Sequence, residues 1–189
     1  MIRLAVVGEI GSGKSHVAKQ FSYPVFNADI EVAKLYKKNR KCFSKLKRIL
    51  PKHITKFPLK KSELSKAISS NKNNLKKIIK IVHPEIRKKL INFCEKNKNK
   101  KAVILDIPLL LENKINKKSD IIVFIDAKKK EIHKRLKKRD NYNARIVKIL
   151  KKLQLPIEIK KKRSNFIIKN NFRNNSVKKN VKKILEKVL

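Results

Sequence analysis

Glycine, cysteine, tryptophan and acidic residues are all scarce in this sequence of 189 residues. The two cysteines, Cys42 and Cys94, lie far apart, and neither belongs to a CxxC pair. This spacing argues against a disulfide framework and against a cysteine-based metal site. No apolar run approaches the roughly 20 residues of a membrane span, and Arg3 interrupts the short apolar start. We therefore expect a soluble, cytoplasmic protein that does not bind membranes.

Positive charge dominates the composition, with 53 Lys and Arg against 14 Asp and Glu and a formal net charge of +39. Such a charge attracts anions, including nucleotides and nucleic acids. The abundance of Lys, Ile and Asn is also what an A+T-rich genome produces, and we favour that origin. Single-strand binding uses aromatic side chains interleaved with basic ones. The chain has no Trp, so we expect only non-specific, salt-sensitive nucleic-acid binding.

All three glycines lie in the stretch VVGEIGSGKS, at Gly8, Gly11 and Gly13. With Lys14 and Ser15 they complete GxxxxGK[ST], the pattern of a phosphate-binding P-loop. In this pattern backbone N–H groups surround phosphate oxygens, the lysine reaches the β and γ phosphates, and the serine hydroxyl meets Mg²⁺. The apolar run before it and the helical spacing after it place the loop between a strand and a helix. An ordinary glycine turn is the less favoured alternative.

Strand-like segments in this sequence are short, aliphatic and separated by polar stretches of helix length. They cover 2–7, 102–107, 120–125 and 165–168, with a weaker candidate at 24–27. This pattern predicts an α/β fold: a P-loop NTPase-type five-stranded parallel sheet flanked by helices. We expect a single domain with a core of 1–29, 101–127 and 164–189, a helical insertion at 30–100, and a basic helical region at 128–163.

Two aspartates follow predicted strands and are candidates for chemistry. Asp29 follows the weak strand, where a carboxylate could accept a proton from an attacking hydroxyl or help to hold Mg²⁺. The alternative is that Asp29 caps a helix beginning at Ile30. Asp106 ends the strand AVILD, where P-loop proteins commonly hold Mg²⁺ through a carboxylate.

Arginine is scarce relative to lysine, so Arg135 and Arg139, four residues apart, are candidates for phosphate contact through their planar guanidinium groups. For Arg135, a solvated helix face is an equal alternative. His83 precedes Pro84, which predicts a helix boundary there. On spacing alone His83 is interpreted as structural.

Together these residues resemble the dephospho-CoA kinase family, and the resemblance runs nearly from end to end. GEIGSGKS matches the family's P-loop, NAD at 27–29 its DAD motif, HPEI at 83–86 its HPxI motif, and DIPLLLE at 106–112 its diPLLfE motif. RLKKR at 135–139 matches the RlxxR element of the family's lid. QLPIEIK at 154–160, with Asn170 beyond it, matches the QxPxExK stretch that leads into the last strand. Many kinases share the P-loop, whereas HPEI and DIPLLLE in this order are specific.

The resemblance implies transfer of the γ-phosphoryl group of ATP, with Mg²⁺, to the 3′-hydroxyl of the dephospho-CoA ribose, the last step of CoA synthesis. It also implies that 30–100 binds CoA and that 128–163 is a lid. Lys14, Asp29 and Arg139 would be catalytic, with Asp29 as the base and Arg139 meeting the triphosphate. Ser15 would meet the metal. The remaining roles are an ATP cradle made by Gly11, Ser12, Gly13, Lys14, Ser15 and His16, and substrate binding by His83, Arg87 and Asp106.

Several positions depart from the family pattern. Glu9 replaces a glycine, Asn27 replaces the first aspartate of DAD, Lys61 replaces an arginine, and Ser164 with Asn165 replaces an Ala-Asp pair. None removes a P-loop element, so we interpret them as drift, with reduced turnover as one consequence to test. The alternatives are another small P-loop kinase, acting on a nucleoside monophosphate or a small alcohol, and a basic nucleic-acid-binding protein. The sequence leaves the oligomeric state open.

Overall fold

Five short parallel strands form one sheet in the computed structural model, which describes residues 1–138 and 142–189. The strands are β1 (Ile2–Gly8), β2 (Val25–Asn27), β3 (Ala102–Asp106), β4 (Ile121–Asp126) and β5 (Phe166–Lys169). Their order across the sheet is β2-β3-β1-β4-β5. All five predicted strands are present with ends within a residue of those expected, and the predicted fold class is confirmed.

Helices connect the strands and flank the sheet. They are α1 (Lys14–Gln20), α2 (Ala28–Lys38), α3 (Arg40–Ile49), α4 (Lys61–Ser70), α5 (Asn73–Lys96), α6 (Lys129–Lys137), α7 (Ala144–Lys152), α8 (Ile157–Lys162) and α9 (Asn174–Val188). Within the described residues, no helix is both long enough and apolar enough to span a membrane.

The apolar core lies where α1 and α9 pack against the sheet. Its members are aliphatic and aromatic side chains of these two helices and of β1, β3, β4 and β5, including Val17, Phe21, Leu4, Ile104, Val123, Ile168 and Val181. Full burial of a side chain such as Phe21 contributes roughly 1.5–3 kcal/mol to folding. The central strand β1 is therefore held firmly, and the P-loop that follows it begins from a fixed point.

The register of the sheet brings the carboxyl ends of the strands to one edge. Gly8 at the end of β1 is the partner of Ile125, and Asn27 at the end of β2 is the partner of Asp106. In open parallel sheets, ligands bind in the crevice outside these ends, where the strand order reverses. The P-loop and Asp106 therefore share the edge at which a ligand is expected.

The chain forms two compact units. One contains Met1–Asn27 and Lys96–Leu189 and holds the sheet, and the other contains Ala28–Glu95 and consists of helices. The assignment of the helical unit to CoA binding and of 128–163 to a lid stays a prediction.

The predicted helix boundary at His83 is wrong, because α5 runs through Pro84 without ending. A proline inside a helix removes one backbone hydrogen bond and costs about 3 kcal/mol. Apolar burial in α5 opposes this cost. The helix buries, at helical spacing, Ile78, Val82, Ile86 and Leu90. Each of these side chains contributes roughly 1.5–3 kcal/mol to the free energy of folding. Their burial outweighs the proline, so the helix continues.

Candidate active site

The P-loop glycines are required by packing as well as by conformation. Gly8 and Gly11 have φ values of 152° and 88°, which residues with a side chain rarely adopt. A Cβ on Gly8 would lie 2.7 Å from the carbonyl oxygen of Ile125, and one on Gly11 would lie 2.9 Å from Cγ of Leu136. The loop therefore packs closely against β4 and α6, and side chains at these two positions would clash. The glycine spacing predicts the loop, whereas the contacts of Gly8 with β4 and of Gly11 with α6 are known only from the structure.

Glu9 takes the family's glycine position without disturbing the loop. It is not among the residues with positive φ, so its backbone does not need glycine. Its carbonyl accepts hydrogen bonds from the backbone N–H of Ser12, at 3.2 Å, and from Nζ of Lys14, at 2.7 Å. Position 9 therefore contributes to the loop through its backbone carbonyl. The half-exposed side chain of Glu9 does not interfere with these hydrogen bonds.

Polar groups of the loop are arranged as for an anionic ligand. Nζ of Lys14 also donates to the carbonyl of Gly8, over 3.3 Å. Ser12 is fully buried, and neither its Oγ nor Nε2 of His16 has a hydrogen-bond partner among the described residues. A buried polar group without a partner costs roughly 1–3 kcal/mol. Ser15 is exposed at the start of α1, and none of the side chains in 1–138 and 142–189 caps that helix. These groups fit a phosphate chain with a divalent cation, because phosphate oxygens accept hydrogen bonds from the loop's donors and a hydroxyl oxygen such as that of Ser15 can coordinate the cation.

The segment after β5 is fastened to the P-loop. Nδ2 of the buried Asn170 donates to the carbonyl of Ser12, over 2.8 Å, and Oδ1 of Asn170 accepts from the backbone N–H of Phe172. The guanidinium of Arg135 lies over the Phe172 ring, 4.4 Å from its centroid. Arg135 is exposed to solvent, and its guanidinium also stacks on the Phe172 ring. The sequence offered no signal for Phe172, since no motif includes it.

A cavity of about 910 Å³ opens beside Asn170. Asp126, Lys128, Glu131, Arg173 and Ser176 also contribute to its walls. Ligand sites for small molecules commonly have volumes of this order. The cavity therefore provides room for a ligand next to the loop that Asn170 braces.

Asn27 and Asp106 contact each other at the ends of adjacent strands. Nδ2 of Asn27 donates to Oδ2 of Asp106 over 2.6 Å, and Asp106 is only 3% exposed. The carboxyl group of Asp106 is thus held at the edge of the sheet where the P-loop begins. Asn27 satisfies it without adding a second negative charge.

Three predicted residues lie in the helical unit. Asp29 is exposed in the first turn of α2, which begins at Ala28, so the alternative that Asp29 caps a helix starting at Ile30 is wrong. His83 is half-buried in α5, and burial, helped by the charge of Arg87, lowers the pKa of its imidazole. Arg87 is exposed. Arg139 lies outside the described residues.

Asn165 shows how one departure from the family pattern is accommodated. Its Oδ1 accepts a hydrogen bond from the backbone N–H of Ile122, and its own N–H donates to the Ile122 carbonyl, both over 2.8 Å. An amide oxygen accepts this bond as a carboxylate would. The exchange of Asp for Asn therefore keeps the link between β4 and the start of β5.

Comparisons with known proteins agree on one family. The family model for dephospho-CoA kinase matches residues 2–176. A dephospho-CoA kinase of Wolbachia pipientis wMel is 33% identical over 188 residues, covering 97% of this chain and 96% of the relative. One of Bartonella quintana is 31% identical, covering 87% of each chain.

Solved structures show the same likeness. Dephospho-CoA kinase from Campylobacter jejuni is 25% identical, with a TM-score of 0.63 and coverage of 98% of this chain and 96% of that one. A Thermus thermophilus protein is 27% identical, with a TM-score of 0.78 and coverage of 100% and 98%. A shikimate kinase from Bacteroides thetaiotaomicron, 11% identical with a TM-score of 0.51 and coverage of 98% and 97%, shares the fold alone.

Proposed function

The chain belongs to the dephospho-CoA kinase family, and we propose that it phosphorylates the 3′-hydroxyl of the dephospho-CoA ribose, with ATP as donor and Mg²⁺ as cofactor. Family membership makes it a kinase that transfers phosphate from ATP. We place this reaction in the cytoplasm, as the composition predicts.

The observation that carries the proposal is the intact P-loop. Lys14 already reaches the carbonyls of Gly8 and Glu9, so its ammonium group lies within the loop that would surround the phosphates. In this loop the hydroxyl of Ser12 is buried and finds no partner within the part of the chain that the structure describes. We assign Lys14 to the β and γ phosphates and Gly11, Gly13 and His16, with Ser12, to the cradle around them.

Ser15 would hold Mg²⁺ together with phosphate oxygens, and the ion would neutralise charge on the transferring group. The chain's own residues supply positioning. Asp29 would accept the proton of the attacking hydroxyl, Asp106 would help to fix the acceptor at the sheet edge, and His83 and Arg87 would bind its CoA portion. Arg139 stays a proposed contact of the triphosphate.

The Arg135–Phe172 pair supports a place for the purine of ATP. Phe172 lies close to Gly13, since a Cβ on that glycine would be 3.2 Å from the Phe172 ring. Flat rings and guanidinium planes are surfaces on which a base stacks. A purine taken up between the two would replace their mutual contact while its phosphates reach the P-loop.

The test is an assay of the purified protein with Mg²⁺, ATP and dephospho-CoA, following ADP release and identifying CoA by mass. Adenosine, AMP and shikimate serve as parallel acceptors, the last because a shikimate kinase shares the fold. We expect product from dephospho-CoA alone. Equal or faster ADP release with another acceptor would overturn the proposed substrate.

A further inference from the structure

A buried ion pair joins two segments that lie outside the P-loop. Nζ of Lys160 contacts Oε1 of Glu112 at 2.8 Å, and their side chains are 3% and 10% exposed. Glu112 follows β3, and Lys160 belongs to α8. Among the residues that the structure describes, Lys160 is the one buried lysine or arginine, in a chain with 53 such residues.

Stability alone does not explain why a buried ion pair is present. Removing two charges from water costs about as much as their attraction returns, so buried pairs are often replaceable by apolar residues without loss of folding. Here the same Oε1 of Glu112 also accepts the backbone N–H of Leu155, over 2.9 Å. The carboxylate therefore fixes the backbone between α7 and α8, and Lys160 holds the carboxylate in place.

The fixed backbone carries a side chain that reaches the P-loop. Gln154, next to Leu155, donates from Nε2 to the carbonyl of Gly8 over 3.4 Å. That carbonyl is also one of the two that accept Nζ of Lys14. When Lys14 turns to phosphate oxygens, the Gly8 carbonyl loses one donor, and Gln154 continues to satisfy it. Gln154 thereby lowers the cost of releasing Lys14.

We propose that Glu112 and Lys160 are positioning residues for ATP binding, acting through Leu155 and Gln154 on the Gly8 carbonyl. The proposal rests on the proposed use of the P-loop for ATP. Glu112 and Lys160, the last residues of the motifs DIPLLLE and QLPIEIK, would thus share one positioning role. Loss of the pair should weaken ATP binding and leave binding of the phosphate acceptor unchanged.

The decisive variant replaces both partners, Glu112→Leu with Lys160→Met, because neither charge is then left buried alone. The exposed pair of Lys182 and Glu186 in α9, replaced in the same way, is the matched control. Binding of a fluorescent ATP analogue is measured directly, together with KM for each substrate, kcat and the unfolding midpoint. We expect Kd and KM for ATP to rise about three- to tenfold, the change that one hydrogen bond makes.

In the same variant, kcat and KM for dephospho-CoA should stay near those of the control, and the unfolding midpoint should fall only by the loss of the Leu155 hydrogen bond. Unchanged ATP affinity in a folded double variant would refute the positioning role. If that variant does not fold, Gln154→Ala leaves the ion pair in place and must show the same selective loss of ATP affinity, or the proposal fails. Failure of the unaltered protein to bind the analogue would instead overturn the proposed function.

Discussion

Asn27 and Asp106 are register partners on neighbouring parallel strands, and the amide of Asn27 donates to the carboxylate of Asp106 over 2.6 Å. The family pattern has an aspartate where Asn27 stands. At this distance two carboxylates could not both ionise without strong repulsion. The asparagine therefore donates to Asp106 without adding a second negative charge at this position.

Restoring the family residue should destabilise the protein when no metal is present. In Asn27→Asp, repulsion raises the pKa of one carboxyl group in the folded state, so stability is lost at neutral pH and regained as the pH falls toward 4. We expect the free energy of unfolding to fall by roughly 1–3 kcal/mol at pH 7.5. Thermal unfolding at pH 7.5 and 5 measures this. Asn27→Ala removes the hydrogen bond to Asp106 but adds no charge, so its loss of stability should depend less on pH than that of Asn27→Asp.

Lys14→Met should abolish turnover while the protein stays folded. The substitution keeps an apolar stem of similar length and removes the charge that we assign to the phosphates. Loss of such a group costs roughly 10²–10³-fold in kcat. ADP release and the unfolding midpoint are measured together, and a folded variant with normal turnover would contradict the P-loop assignment. Lys182→Met, in an exposed pair, controls for loss of a lysine.

Asp29→Asn should retain ATP binding and lose rate. The residue is exposed in the first turn of α2, where a carboxylate contributes only about 0.3–1 kcal/mol to the helix. A catalytic base contributes roughly 10²–10⁴-fold to rate. Turnover and ATP affinity separate these roles, with Glu186→Gln as a control for removing an exposed carboxylate. Undiminished turnover would leave Asp29 with a helix-stabilising role only.

The strands and the P-loop could be predicted from the sequence because their signals are local. Aliphatic runs of strand length identify β1, β3 and β4, and the glycine spacing identifies the loop. The path of α5 through Pro84 could not be predicted in this way. It depends on the burial of Val82 and Ile86, which only the folded unit provides.

Parts of the candidate site depend equally on contacts between distant segments. Leu136 packs where Gly11 can carry no side chain, and Phe172 stacks with Arg135 across two elements. The motif QLPIEIK includes Lys160, but its contact with Glu112 is known only from the structure. Residue type and spacing contain no information about such pairings. The motifs therefore predict the candidate site but not the contacts that hold its residues in place.

Phe172→Ala should weaken ATP binding without altering acceptor binding. The ring supplies one face of the proposed purine position, and base stacking on an aromatic ring contributes roughly 1–3 kcal/mol. We expect KM for ATP to rise by about one order of magnitude, with KM for dephospho-CoA unchanged. Phe172→Tyr keeps the ring and should behave as the unaltered protein does. Equal KM values for ATP in the alanine and tyrosine variants would rule out stacking.

His83 should make the protein sensitive to mild acid. Burial, with the charge of Arg87, lowers the pKa of the folded imidazole below its ordinary value of 6.5. The unfolded chain then takes up a proton more readily than the folded one, so stability is present above about pH 6.5 and is lost as the pH falls through the folded pKa. His83→Gln removes this linkage. Unfolding midpoints at pH 7.5 and 5.5 should therefore differ less for the variant than for the unaltered protein.

His133→Gln, at an exposed histidine, should leave the difference as it is. An identical loss in the unaltered protein and in His83→Gln would show that other groups govern the acid response.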